Sequence, residues 1–187
     1  FDNFQQYIGF NPDGDVDAIA PDFEILSTWK YSLGAEYIFG DDWVVAADVV
    51  LSEVNDGYNI YEGRRVQVGT APDGRPIYDT PAGGDYIVTN TSEGSGTVFT
   101  ASLSKAWDTD FGYFDFDIGY PNQNVDELRS YNRFVGFETY AFDAQTDLNN
   151  GQVDPSKYEV EHRITANLIW SKQLFGDNVT TVGLAYA

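Results

Sequence analysis

Four groups of residues have types and spacings that could do chemistry. Asp13, Asp15 and Asp17 alternate in Asp13-Gly14-Asp15-Val16-Asp17. Hard cations take several oxygens at ~2.3–2.6 Å, so such a run could hold calcium. The EF-hand spacing is not completed, because no Glu stands at the twelfth loop position. A calcium loop and a solvated acidic turn both remain open, and no other metal or cofactor is expected. Asp115 and Asp117 form a second group, a carboxylate pair that could act as acid and nucleophile on a glycoside at ~5–5.5 Å separation. On a strand, neighbours at i and i+2 stand nearer ~6.5–7 Å apart, which favours polar lining over catalysis. The third is His162, the single histidine, without Cys, without Gly-x-Ser-x-Gly and without a helical zinc motif. It reads as a polar strand-end residue beside Glu161 and Arg163. The fourth is a set of arginines, Arg75 in "PDGRP" and Arg129 and Arg133 in "LRSYNRFVGF". Arg and Tyr are favoured at recognition surfaces, so these residues either contact a ligand or pack their loops. No catalytic residue emerges, and the chain is read as a non-enzyme.

The elements that carry these residues are strands. In "YFDFDIGY" (113–120), Phe114, Phe116, Ile118 and Tyr120 share one face and Asp115, Asp117 and Gly119 the other, a period of two. The same alternation marks 28–39, 43–52, 97–107, 162–174 and a sixth strand from 179. Amphipathic helical periodicity is absent, as is any apolar run near the ~18–20 residues of a membrane helix. Tight turns rich in Gly, Asp and Asn fall near 41, 110 and 177, about 68 residues apart. Between them lie segments of about 40 residues, far longer than the usual ~4–6. Aromatic residues flank each tight turn: Tyr37, Phe39 and Trp43, then Trp107, Phe111 and Tyr113, then Trp170 and Phe175.

Short turns at one end, long loops at the other and an aromatic girdle are the pattern of an outer-membrane barrel. The expected fold is therefore all-β, part of a large antiparallel transmembrane β-barrel with about six strands paired as three hairpins. Short periplasmic turns would join the strands of each hairpin, and long extracellular loops would join the hairpins. The organisation is an extracellular loop region at 1–27, hairpins at 28–52, 97–120 and 162–187, and long loops at 53–95 and 121–161. In this arrangement the apolar face meets lipid, and Glu36, Asp48, Asp115, Asp117 and Asn167 face the wet lumen. Most of the polar face is small and uncharged, including Ser32, Ser102, Ser104 and Ser171, whereas the outer face of a soluble sheet is usually rich in Lys and Glu.

The balance of 30 acidic against 10 basic residues, net −20, argues against nucleic acid as a partner. There is no Cys for a disulfide or a thiolate metal site. The first residue is Phe and no signal segment is recognisable, so both ends read as cut from a longer polypeptide.

Three segments carry a family resemblance: "PDFEILSTWKYSLGAEYIF" (21–39), "APDGRPIYDT" (71–80) and "YEVEHRITANLIWSKQLFGDN" (158–178). In order and interval they resemble the barrel of TonB-dependent outer-membrane receptors, closest to the Oar-like subgroup. In that subgroup Thr-Trp-Lys opens a barrel strand, Pro-Asp-Gly-Arg-Pro lies in an extracellular loop, and Tyr-Glu-x-x-His-Arg leads into a descending strand. The resemblance spans most of 21–187 and implies a transporter in the outer membrane of a Gram-negative bacterium. It also implies a barrel of about 22 strands, an N-terminal plug and energy supplied through TonB. The expected partners are outer-membrane lipid, the rest of the barrel and plug, TonB through regions outside this chain, and an unidentified transported ligand. This chain has neither plug nor TonB box, so nothing that couples transport to energy maps onto it. The alternative reading is a soluble extracellular β-sandwich or adhesin module that binds carbohydrate or calcium. It requires Trp29, Leu33, Phe114 and Leu168 to be buried within the chain.

Overall fold

The computed structural model describes residues 16–79, 84–129 and 136–187. The chain is mostly β-strand, with one short helix among the described residues. In order the elements are β1 (Val16–Ile19), β2 (Ser27–Phe39), β3 (Trp43–Glu62), β4 (Gln67–Thr70), β5 (Pro76–Tyr78), β6 (Asp85–Thr91), β7 (Gly94–Thr109) and β8 (Gly112–Glu127). The helix α1 (Gly136–Phe142) and strands β9 (Asp154–Pro155), β10 (Thr165–Phe175) and β11 (Asn178–Tyr186) complete the chain. They divide between two compact units, with β3 contributing residues to both. No described helix is long and apolar enough to cross a membrane, which says nothing about strands.

The first unit, here the sheet unit, comprises Trp29–Glu53, Ser95–Val125 and Pro155–Ala187. Its strands follow the order β2, β3, β7, β8, β10, β11. Pairing is antiparallel where the register runs Ala47↔Ala101 between β3 and β7, Leu168↔Phe116 between β10 and β8, and Leu168↔Leu184 between β10 and β11. The tight connections are Gly40-Asp41-Asp42, Asp110-Phe111 and Gly176-Asp177. Gly40 (φ 56°), Asp42 (φ 62°) and Gly176 (φ 55°) take the left-handed backbone that such turns need.

The registers gather one apolar stripe from β3, β7, β8, β10 and β11 on one side, although Val44, Val50 and Ile169 lie on the other. Val45 and Val49 lie opposite Leu103 and Phe99, and Phe116 lies opposite Leu168. Trp107 stacks on Phe114 at 5.3 Å, and Trp43 meets Phe116 edge-on at 6.3 Å. The sheet unit contains none of the chain's fully buried hydrophobic residues. Trp29 is 61% and Leu33 75% exposed. Phe114 and Leu168 are half-buried by their in-plane neighbours. The sheet is open at both edges.

Three strands continue past their sequence-read ends. The segment beyond Ser52 loses its alternation, yet β3 runs to Glu62. β7 begins at Gly94, and β8 passes through Pro121 to Glu127. Pro121 lacks a donor, but its carbonyl accepts from Arg163 N at 3.2 Å, so the ladder continues. The described residues of 53–95 and 121–161 thus include extended strands, a hairpin and a helix.

The second unit, the loop unit, comprises Phe1–Thr28, Val54–Gly94 and Asp126–Asp154. Within it β6 pairs antiparallel with the end of β3 and parallel with β1, and β4 and β5 form a separate hairpin. Its small core is Ile60, Tyr86 and Tyr140, with Tyr58, Val88 and Leu148 packed against it. Helix α1 rests on β6 through Tyr86, whose ring lies 5.7 Å from Phe137 and 5.6 Å from Tyr140.

Candidate functional site

In the sheet unit the polar face gathers the carboxylates that the sequence singled out. Asp48 lies opposite Thr100, Asp117 opposite Asn167 and Asp115 opposite Ile169. Asn167 Nδ2 donates to Asp117 Oδ1 at 2.8 Å. A Cβ placed on Gly34 would stand 2.1 Å from Asp48 Oδ1, so β2 and β3 turn these positions to the same side. Glu36, two residues on, shares that side by strand alternation. The face therefore carries carboxylates among Ser, Thr and Gly, with Asp115 and Asp117 as same-face neighbours on β8.

His162 lies just before β10 in an isolated bridge with Asn122. Its Nδ1 is 3.1 Å from the Asn122 amide nitrogen and 2.7 Å from the Tyr120 hydroxyl, and the Tyr120 ring stacks on it. Its Nε2 lies 3.2 Å from Glu161 Oε1. This arrangement fastens a strand end.

The loop unit is centred on two polar residues that sequence reasoning missed. Glu62 is 1% exposed. Its Oε1 accepts from the backbone of Arg64 at 2.9 Å and of Asp85 at 2.8 Å, and Arg65 Nε stands 3.8 Å from Oε2. Asn149 pairs with the backbone of Glu62, accepting from its N–H and donating to its carbonyl, and also accepts from the Tyr140 hydroxyl. Burial pushes the Tyr140 phenol up to about 12, opposed by Arg65 and Arg129 and reinforced by Glu62, so it remains a neutral donor.

Compared with known protein families, characterised proteins and solved structures, the chain matches none.

The arginines named from sequence occupy different settings. Arg129 is 5% exposed, donates to Asn59 Oδ1 at 3.0 Å and to the Leu148 carbonyl, and lies 5.9 Å from the Tyr140 ring centre. Burial lowers its proton affinity from the usual Arg range, and Asp143 is the first of the acidic groups opposing that. Arg129 thus ties 126–129 to 148 and to β3. Arg75 stands on the surface at the tip of the β4–β5 hairpin, paired with Asp73 at 2.7 Å. Hydrogen bonds from the Arg75 backbone and side chain hold the Asp73 carboxyl below its ordinary range. Arg133, Asp13 and Asp15 lie outside the described residues. Asp17 places Oδ1 within 2.5 Å of where a Cβ on Gly136 would stand, at the start of α1. Among the described residues no three acidic or His side chains come together as a cation site.

The β4–β5 tip and the segment 146–152 enclose a polar cleft of about 370 Å3 within the loop unit, lined by Asp73, Arg75, Asp147, Asn150 and Gln152 among others. Its walls are tied by the Tyr78 hydroxyl, which donates to Asp147 Oδ1 at 2.7 Å. Burial, then that bond, raises the Tyr78 phenol to about 12, which keeps the donor protonated. The same oxygen accepts from the backbone of Asn149 at 3.0 Å and Asn150 at 3.1 Å, an Asx turn that fixes the opposite wall. The sequence signal was Asp147-Leu148-Asn149-Asn150-Gly151, a run of turn-forming residues.

Proposed function

We propose that this chain is a segment of the barrel of a TonB-dependent outer-membrane transporter, moving a ligand across the outer membrane of a Gram-negative bacterium. The observation that carries this reading is the sheet unit's apolar face, which spans six strands and on which no described hydrophobic side chain is buried. A soluble sheet leaving that face bare would be a strong aggregation hazard. In lipid it is the required surface. From Trp43 to Leu51 the stripe on β3 covers nine residues, within the ~9–11 that a tilted membrane strand needs.

The polar face supports a hydrated lumen, being small, mostly uncharged and dotted with carboxylates. The open edges support continuation into a larger barrel, because unpaired backbone groups are not tolerated in hydrocarbon. The girdle reading gains support at the turns. Trp170 Nε1 donates to the Phe111 carbonyl at 2.9 Å, and Lys105 Nζ lies 5.2 Å from the Trp43 ring centre. Both are ring–polar pairings suited to a headgroup boundary.

All four Trp, residues 29, 43, 107 and 170, lie on the apolar side of their strands, which provides a test. In vesicles of dibrominated phosphatidylcholine, the fluorescence component lost on Trp43→Phe or Trp107→Phe is expected to be strongly quenched relative to unbrominated lipid. Quenching of that component by aqueous iodide, with no bromine effect, would contradict the proposal.

A further inference from the structure

We infer that the cleft between the β4–β5 tip and residues 146–152 is a binding site for an uncharged, polyhydroxylated ligand, of the class of a mono- or short oligosaccharide. The inference deepens the transporter reading and rests on it for physiological meaning, although the cleft lies wholly within the loop unit.

The size is that of a small-molecule site, about 370 Å3 against the ~300–1,000 Å3 usual for such pockets. The charges at its rim are matched in part. Asp73 and Arg75 neutralise each other at 2.7 Å, and Asp147 Oδ1 is filled by three donors. A free anion would meet a paired guanidinium on a chain of net charge −20, and a free cation would meet an Asp73 already paired with Arg75 and an Asp147 with Oδ1 filled.

What remains open to a ligand is a mixture of neutral donors and acceptors. The Asn150 side-chain amide has no hydrogen bond among the described residues, and only its backbone N–H is used. Gln152 accepts from the Thr146 hydroxyl at 3.0 Å through Oε1, which leaves Nε2 as a donor. Arg75 bonds Asp73 through Nε and Nη2, and its Nη1 holds no bond among the described residues. A sugar hydroxyl donates and accepts at once, so rows of hydroxyls are the chemistry that suits interleaved amides, a hydroxyl and a guanidinium edge. The site is also preorganised. Gly74 (φ 90°) sets the hairpin tip, the backbone bonds of Ala71 with Arg75 and Gly74 close it, and Tyr78 and the Asx turn fix the facing wall. Little ordering is left to oppose binding.

The test uses the detergent-solubilised protein and saturation-transfer NMR. The uncharged probes are glucose, galactose, N-acetylglucosamine and maltotriose, with galacturonate and glucosamine as charged counterparts. Saturable transfer to at least one uncharged probe is expected, and weaker transfer to both charged ones. Asn150→Ala and Gln152→Ala should each weaken affinity about tenfold, the usual effect of losing one or two hydrogen bonds. Tyr78→Phe should weaken it too, by releasing the wall, with the β4–β5 amide shifts moving and the rest of the spectrum unchanged. No saturable transfer from any uncharged probe, preference for a charged one, or unchanged affinity in Asn150→Ala would overturn the inference. Because no lipid is involved, a failure here is distinct from a failure of bromolipid quenching.

Discussion

Glu62→Ala is expected to destabilise the loop unit by about 3–5 kcal/mol, as removing one partner from a buried charged network does. The carboxylate is buried and its Oε1 is the acceptor for two backbone N–H groups, on Arg64 and Asp85. Alanine leaves both donors without that acceptor and leaves the guanidinium of Arg65 without its carboxylate 3.8 Å away. Native-state hydrogen exchange reads the effect directly. Protection of the Arg64 and Asp85 amides should fall by about two to four orders of magnitude, since each ~1.4 kcal/mol is tenfold. Glu62→Gln keeps an oxygen for one or both donors and should lose much less. Amides of the β10–β11 ladder should be unaffected, because they belong to the sheet unit. Unchanged protection at Arg64 and Asp85 in the alanine variant would show that this carboxylate does not hold the unit together.

Ala101→Arg and Ser102→Arg should differ sharply, although the two residues are adjacent in mid-strand on β7. Ala101 lies opposite Ala47 on the apolar side and Ser102 opposite Ala46 on the polar side. An arginine on the lipid face near mid-membrane costs about 2–4 kcal/mol, whereas lumen substitutions mainly tune selectivity. Urea titration of the protein folded into phosphatidylcholine vesicles should therefore place Ala101→Arg about 2–4 kcal/mol below the parent and Ser102→Arg within about 1 kcal/mol of it. Equal effects would mean that the two faces meet the same solvent.

How much was legible beforehand follows from what constrains each segment. Where one face of a strand must be apolar, the period of two is enforced, and 28–39 and 113–120 could be read directly, whereas the strand read from 162 starts at Thr165. Turns rich in Gly, Asp and Asn were legible because few residues accept positive φ, as at Gly40 and Asp42. Beyond Ser52 and Tyr120 the strands continue, but neither face there has to be apolar, so the alternation that would reveal them is absent. Helix α1 is seven residues long, too short for a helical period to emerge. The parallel pairing of β1 with β6 joins residues far apart in sequence and leaves no local mark. Glu62 and Tyr140 were missed for a different reason. A carboxylate in an acidic chain reads as surface, and only the fold shows the donors that converge on it. Arg129 and Arg75 looked alike as loop arginines, yet one is packed inside the loop unit and the other edges a cleft.

The central claim is that one sheet face meets lipid and the other meets water. The chain has no Cys, so single thiols can be placed at will. In the protein reconstituted into phosphatidylcholine vesicles, cysteine at Leu33, Val49 or Leu168 should resist a membrane-impermeant maleimide until detergent is added. Cysteine at Ser32, Thr100 or Asn167 should react in the intact vesicles. Equal labelling of the two sets, or labelling of the apolar set alone, would contradict the assignment of this sheet to a membrane barrel.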